Sequence, residues 1–239
     1  MKSFFTIILF CFSFTCLAQN ITSKEILQNT IKYQDPNGNW QNFNETFTVV
    51  MTTPKSSNRK SVITINLPKE KFKVTATKDS ITTTYSLDKS QCQLQYNGKV
   101  LDSVSAKTKK MSCGRAFLYK NYYTYLYGLP MKLKDSGTNL SDKVEKKTFK
   151  GKEYLVLKVT YDEAVGSDVW YFYINPETYA LEVYQFFKTD DNGEIKPESG
   201  EYILLSEEVI INDIKIPKVR AWYYNKDDKY LGTDTLIED

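Results

Sequence analysis

The chain has 239 residues and a formal net charge of +3, with 32 basic and 29 acidic side chains interleaved along its length. This distribution contains no basic stripe of the kind that tracks nucleic acid, so we predict no nucleic-acid partner. Histidine is absent from the sequence, which removes the most common general base, the most common metal ligand and every catalytic triad that uses an imidazole. We therefore predict that the protein is not an enzyme and has no catalytic residue, metal site or cofactor.

Residues 1–18 have the pattern of a secretory signal peptide. Lys2 precedes an apolar run at positions 4–14, and smaller residues follow up to Ala18. The run is shorter than the roughly 20 apolar residues of a membrane-spanning helix. We expect cleavage after Ala18 and an exported protein, periplasmic or secreted, that is soluble after cleavage. A lipid anchor on Cys16 is the alternative, although the residues before it fit a lipoprotein signal poorly.

Residues 19–239 have the length of one β-rich domain, and we expect a single domain. Cys92 and Cys113 are the two cysteines that remain after cleavage. An oxidising compartment favours a disulfide between them. Two unrelated buried thiols are the alternative.

Apolar residues at helical spacing predict a first helix from Thr22 or Ser23 to Tyr33. The segment 35–39, Asp-Pro-Asn-Gly-Asn, ends this helix, because a proline disfavours helix at the residue before it and Asn-Gly favours a turn. The same segment places oxygen-bearing side chains at alternate positions, as calcium loops do. Its glycine is misplaced for such a loop and no glutamate closes it, so we interpret the segment as a helix stop.

From Phe43 onward the period of the apolar residues changes to two, which indicates β-strands. Short polar links between the strands predict antiparallel neighbours. The predicted strands cover residues 47–51, 61–67, 71–75, 81–85, 154–161, 169–174, 180–188, 202–211, 214–224 and 230–237. The segment 130–152 is predicted to be a surface connection with at most one short structured piece.

An aromatic-rich helix is predicted between the two groups of strands, from Gly114 to Gly128. Its rings suit either a lid over an apolar ligand or a core helix. Arg115 at its start is a candidate for binding an anionic head group or for pairing with a surface carboxylate. Two helices and many antiparallel strands without a βαβ rhythm predict an α+β fold. We expect a strongly curved antiparallel sheet, a half-barrel, with both helices packed on its concave side.

Two segments, residues 33–40 (YQDPNGNW) and 121–135 (NYYTYLYGLPMKLKD), resemble an uncharacterised family of secreted bacterial proteins known only as a domain of unknown function. The family usually has histidine where this chain has Gln34, so an activity that needed that imidazole would be lost here. The motif residues are Gln34, Asp35, Asn37, Asn39, Trp40, Gly128, Pro130, Lys132 and Asp135.

The order of the elements is also similar to the LolA-like half-barrel of periplasmic lipoprotein carriers and related envelope sensors. Those carriers hold acyl chains between a curved sheet and helical lids. The resemblance therefore implies a ligand cavity lined by Trp40, Tyr122, Tyr125, Tyr127 and Met131.

These observations predict a non-catalytic exported carrier that holds an apolar or amphipathic ligand, such as a lipid, an acylated peptide or a lipoprotein. An envelope structural or protein-interaction module is the alternative, with an envelope protein as its partner. An enzyme that uses Asp35 or Asp135 with Lys132 or Lys134 is a further alternative. The sequence does not specify the oligomeric state.

Overall fold

The computed structural model describes residues 21–237, and the predicted signal peptide at 1–18 lies outside them. Thirteen strands form one sheet. The strands are β1 (Asn44–Thr53), β2 (Ser56–Asn66), β3 (Lys71–Lys78), β4 (Ile81–Asp88), β5 (Gln91–Tyr96), β6 (Lys99–Val100), β7 (Thr138–Phe149), β8 (Lys152–Tyr161), β9 (Val169–Ile174), β10 (Leu181–Phe187), β11 (Glu201–Ile211), β12 (Ile214–Tyr224) and β13 (Tyr230–Ile237). The helices are α1 (Ser23–Gln34), α2 (Ser103–Thr108) and α3 (Cys113–Gly128), with 3-10 turns at Asn39–Asn42 and Met131–Lys134.

All strand pairs in the sheet are antiparallel, and the spatial order is β6-β5-β4-β3-β2-β1-β13-β12-β11-β10-β9-β8-β7. The first and last strands of the chain meet in the middle of the sheet, where Thr48 faces Ile237. Within the described residues the sheet ends at β6 on one side and at β7 on the other, so it does not close into a barrel.

The contacts of α3 show how strongly the sheet curves. Cys113 at the start of α3 is bonded to Cys92 of β5, and Tyr125 near its end shares a hydrogen bond with Tyr161 of β8. These strands are ten places apart in the sheet, which is about 48 Å in a flat sheet. The two helix positions are only about 18 Å apart along the axis. The sheet therefore wraps around α3, and the predicted half-barrel of the α+β class is confirmed.

Both long helices pack against the concave face of the sheet, as predicted. Ile26 of α1 and Tyr123 of α3 belong to one hydrophobic core, together with alternate residues of the strands such as Phe47 and Ile63. The period of two in the sequence is thus the period at which strand side chains face the helices. This core holds α3 against the sheet.

Local hydrogen bonds cap the N-terminal ends of α1 and α3. The Thr22 hydroxyl accepts from the Glu25 N–H at 3.2 Å, and the Glu25 carboxylate accepts from the Thr22 N–H at 2.8 Å, which forms a capping box. Ser112 caps α3 through the Arg115 N–H. The predicted disulfide between Cys92 and Cys113 is present and ties the start of α3 to the sheet.

The prediction for residues 130–152 is wrong. This segment contains the 3-10 turn Met131–Lys134 and the twelve-residue strand β7. Among residues 21–237 the strand lies at the edge of the sheet and pairs only with β8, and its register is irregular between Leu140 and Val144. A charged edge strand with a shifted register lacks a continuous period of two, which explains why the pattern is hidden. The segment 91–108, for which no element is predicted, forms β5, β6 and α2.

Candidate functional site

A cleft lies between α3 and the concave face of the sheet, and it has two lobes. Lobe 1 has a volume of about 540 Å³ and lobe 2 of about 530 Å³. Tyr122, Tyr125, Asp168 and Trp170 line both lobes, so the two spaces adjoin. Lobe 1 is further lined by polar residues such as Asn121, Lys132, Asp135, Ser136, Thr138 and Tyr161. Lobe 2 is further lined by Met51, Arg59, Leu126, Phe186, Glu201, Trp222 and Asp234.

Aromatic rings form the wall that the two lobes share. Trp170 of β9 stacks on Phe186 of β10 with 4.8 Å between ring centroids, and Tyr125 of α3 meets the same indole edge-on at 5.5 Å. The Tyr125 hydroxyl shares its hydrogen bond with Tyr161, which fixes the ring. Such rings give a flat apolar surface with polar edges, a surface that suits an amphipathic ligand.

A row of polar side chains crosses the sheet side of lobe 2. Arg59 of β2 faces Met51 of β1, Met51 faces Asp234 of β13, and Asp234 faces Arg220 of β12. Directly opposed residues of neighbouring strands point to the same face of a sheet. Arg59 and Asp234 line lobe 2. Arg220 is only 1% exposed; its guanidinium lies 4.1 Å from the Tyr127 ring centroid, and its Nη1 donates to the Pro217 carbonyl at 2.9 Å.

Three carboxyl groups of lobe 2 have pKa values above their ordinary values. Burial raises the pKa of Asp234, and the charges of Arg220 and Arg59 oppose that rise. Burial also raises the pKa of Asp168 and that of Glu201, each against the opposing charge of Lys188. Carboxyl groups perturbed by burial in a cleft are typical of functional sites. These three groups make lobe 2 the strongest candidate site in the described part of the chain.

Two tyrosines of α3 bring their hydroxyls into the same environment. Removal from water raises the pKa of Tyr122, and the charge of Asp234 raises it further, although 40% of the residue's surface is exposed. Burial raises the pKa of Tyr125, and the charge and hydrogen bond of Tyr161 raise it further. Both phenols are therefore neutral hydrogen-bonding groups at neutral pH.

The predicted ligand-binding residues fall into three groups, which lie in the cleft, in the core and on the surface. Tyr122 and Tyr125 line the cleft. Three others, Trp40, Tyr127 and Met131, are buried in the core and line neither lobe. Arg115 is exposed and interacts with Tyr85, away from both lobes. The helix α3 therefore contributes one face to the core and another to the cleft.

The motif residues mostly hold two segments of the chain together. The Asp35 carboxylate accepts from the Asn39 N–H at 2.7 Å and from the Trp40 N–H at 3.0 Å. The Gln34 side chain donates to the Leu129 carbonyl at 3.0 Å, and the Trp40 ring lies against Gly128.

The remaining motif residues lie around this junction. The Asn39 side chain donates to the Asn212 carbonyl at 3.1 Å, Asn37 is exposed, and Pro130 is buried. Lys132 and Asp135 form an ion pair and line lobe 1.

The sequence matches the family of unknown function DUF6503 over residues 2–239. The chain belongs to this family. No curated protein matches the sequence. Among solved structures, this DUF6503 member is similar to a LolA superfamily protein from Nitrosomonas europaea, with 11% identity, 92% of this chain and 93% of that chain covered, and a TM-score of 0.53. A DUF1329 family protein from Desulfovibrio piger ATCC 29098 matches with 9% identity, 90% and 91% coverage and a TM-score of 0.48.

These comparisons confirm two predictions. The chain belongs to an uncharacterised family, and the likeness to the LolA superfamily protein shows that this DUF6503 member has the LolA-like fold. Residues 21–237 contain no helix long and apolar enough to cross a membrane, and no cluster of three or more acidic or cysteine side chains that could hold a metal ion.

Most of the residues that line lobe 2 of this DUF6503 member were not among the predicted site residues. One signal for them exists in the sequence. Two of the three arginines, Arg59 and Arg220, and one aspartate, Asp234, occur in strand segments. A charged residue at an inward position of a strand is rare unless it is paired or functional.

Proposed function

We propose that this protein is an exported, non-catalytic binding protein that holds an amphipathic ligand in the cleft between α3 and the sheet. The observation that carries the proposal is lobe 2, which combines aromatic walls with a few converging polar groups. Ligand sites have this composition, and each lobe falls within their usual range of about 300–1,000 Å³. The LolA-like half-barrel agrees with the proposal, since carriers of that kind hold acyl chains between sheet and helices.

Export and a single domain are part of the same proposal. The pattern of residues 1–18 supports entry into the secretory route. The disulfide between Cys92 and Cys113 supports an oxidising compartment. The participation of all described strands in one sheet supports one domain over residues 19–239.

The carboxylates suggested for an enzyme have other tasks. Asp35 is buried, and both of its oxygens accept backbone N–H groups. Asp135 pairs with Lys132 at the polar end of lobe 1. A binding function requires no acid–base group in the cleft.

Thermal unfolding of delipidated protein tests the proposal. 1-Decanoylglycerol, an uncharged amphiphile added below its critical micelle concentration, is expected to raise the melting temperature, because a ligand at 100 times its Kd adds about 2.7 kcal/mol to the free energy of unfolding. The variant Trp170→Ala removes the shared aromatic wall and is expected to weaken binding about tenfold. Tyr171→Ala is the matched control, since Tyr171 follows in the same strand and lines neither lobe.

Two outcomes would count against the cleft. Equal losses in the two variants would show that binding does not use the inner face of β9. A melting temperature that no lipid or detergent raises would favour the alternative, a protein-interaction module of the envelope.

A further inference from the structure

The polar row on the sheet side of lobe 2 is arranged around a gap between Arg59 and Asp234. The two residues lie on strands separated by β1, and Met51 of β1 forms the floor between them. They do not form an ion pair in the described part of the chain, although the charge of Arg59 acts on the Asp234 carboxyl. A group of the ligand that enters above Met51 would therefore meet a guanidinium on one side and a carboxyl on the other.

Three residues that line the lobe have a buried polar atom without a hydrogen-bond partner among residues 21–237, namely Arg59 Nε, Asp234 Oδ1 and Trp222 Nε1. The Nε of Arg220, which faces Asp234 but does not line the lobe, is also unpaired. Burial raises the pKa of Asp234 and the Trp222 indole opposes that rise, but Trp222 Nε1 makes no hydrogen bond within the described residues. Trp222 faces Gly232 of β13, which has no side chain, and both residues line the lobe. Because buried polar groups are almost always paired, the arrangement points to a ligand group that pairs with them.

The donors and acceptors around the gap define that ligand group. Arg59 and Trp222 donate, so the group needs an acceptor oxygen. Asp234 accepts, so the group also needs a donor hydrogen.

The charges around the lobe argue against an anionic head group. Arg220 is covered by the Tyr127 ring and does not line the lobe. A free carboxylate or phosphate would therefore face the carboxyl groups of Asp168, Glu201 and Asp234 against the single guanidinium of Arg59. An ammonium group would be attracted by these carboxyl groups, but it has no acceptor atom and would leave the donors of Arg59 and Trp222 unpaired.

We infer that the ligand places an uncharged polar group that both accepts and donates a hydrogen bond, as a secondary amide does, between Arg59 and Asp234. This inference rests on the proposed binding function and adds the ligand class and its orientation. The carbonyl oxygen accepts from Arg59 or Trp222, and the amide N–H donates to Asp234. The apolar body of the ligand then lies along Trp170 and Phe186. An N-acylated peptide or amine has this chemistry, whereas a free fatty acid does not.

Three probes with the same alkyl chain test the inference by calorimetric titration. N-methyldecanamide accepts and donates, N,N-dimethyldecanamide only accepts, and decanoate at neutral pH is an anion. N-methyldecanamide is expected to bind about tenfold more tightly than either of the others, because a hydrogen bond to a charged group is lost or a charge is opposed.

Variants assign the two halves of the amide to the two residues. Asp234→Leu is expected to abolish the preference for N-methyldecanamide over its dimethyl analogue, and Asp234→Asn, which keeps the shape, is expected to reduce it. Arg59→Met is expected to weaken both amides about tenfold and to preserve their ratio. Arg115→Met is the matched control, because this arginine is exposed and lies outside both lobes.

The outcomes separate the inference from the proposed function. Equal affinities for the three probes, or tightest binding of decanoate, would overturn the inference and leave a binding protein. A preference that survives in Asp234→Leu and Asp234→Asn would overturn the assigned orientation. If the wild-type protein bound none of the probes, and no lipid raised its melting temperature, the proposed function would fall together with the inference.

Discussion

Asp35 is the residue that holds the 33–40 motif in shape. Its carboxylate accepts two backbone N–H groups and is 4% exposed. Asp35→Ala leaves the partly buried Asn39 N–H and the buried Trp40 N–H without this partner, so we expect a loss of about 3 kcal/mol in the free energy of unfolding. Urea denaturation measures this change. Asn37→Ala in the same turn is the control, because Asn37 is exposed and should change stability by less than about 0.5 kcal/mol. A loss below about 1 kcal/mol in Asp35→Ala would contradict the capping role.

At the same scale, the sequence indicated the helix stop but not the tasks of its residues. Pro36 and Gly38 are sufficient to predict the end of α1. The bond from Gln34 to the Leu129 carbonyl joins residues 95 positions apart, and no local pattern predicts such a pairing. Of this motif, only Trp40 was predicted by resemblance to line a ligand cavity. In the structure, residues 33–40 contact residues 121–135 and thereby hold the C-terminal end of α3 in place.

The contact between α3 and the 3-10 turn Asn39–Asn42 depends on a glycine. A Cβ atom at Gly128 would lie 2.3 Å from Trp40 Cζ2 and 2.6 Å from Lys132 Cγ. Gly128→Ala is therefore expected to lower the free energy of unfolding by about 1–3 kcal/mol through overpacking. Gly114→Ala in the same helix is the control, because its nearest atom would be Ser112 Oγ at 3.9 Å.

This control should be neutral or stabilising by up to about 1 kcal/mol, since alanine favours helix over glycine. Thermal unfolding of the two variants gives the comparison. Equal stability of Gly128→Ala and wild type would show that the Trp40 ring can move away without cost.

Among the elements, prediction worked where one face of a strand is buried and the other is not. The strand β2 alternates buried and half-buried residues over its second half, and its period of two was recognised. The strand β7 has charged side chains at Lys143, Glu145, Lys146 and Lys147 and, within the described part of the chain, one neighbouring strand. Its apolar residues therefore do not follow a period of two. An edge strand of this kind is identified by its partner strand, which the sequence alone does not supply.

At the scale of the whole molecule, the cleft is assembled from residues far apart in the chain. Arg59, Trp170 and Asp234 come from β2, β9 and β13. They meet because the sheet curves and because β1 pairs with β13. The sequence predicted the curved sheet and the tyrosines of α3. It could not predict which strand residues face them, since this depends on the register of strands that are distant in sequence.

The carboxyl groups of the cleft give the whole molecule a distinctive pH dependence. Burial raises the pKa of Asp168 above 3.8 and that of Glu201 above 4.5. The folded state therefore holds these protons more tightly than the unfolded state does. As the pH rises from the ordinary values through the higher folded values, the unfolded state loses its protons first and the free energy of unfolding falls. The cleft thus lowers the stability of the fold at neutral pH.

The double variant Asp168→Asn/Glu201→Gln tests this dependence, because its amides do not ionise. At neutral pH we expect it to exceed the wild type in free energy of unfolding by about 1 kcal/mol or less, given partial exposure of both groups. The gain should vanish as the pH falls below the ordinary pKa values of 3.8 and 4.5.

Glu25→Gln is the control of opposite sign, since hydrogen bonds from Thr22 lower the pKa of Glu25. Its loss of stability should be present at neutral pH and disappear on acidification. Urea unfolding across this pH range distinguishes the double variant from Glu25→Gln. A gain in stability of the double variant that persisted in acid would show that burial of the two charges is not its cause.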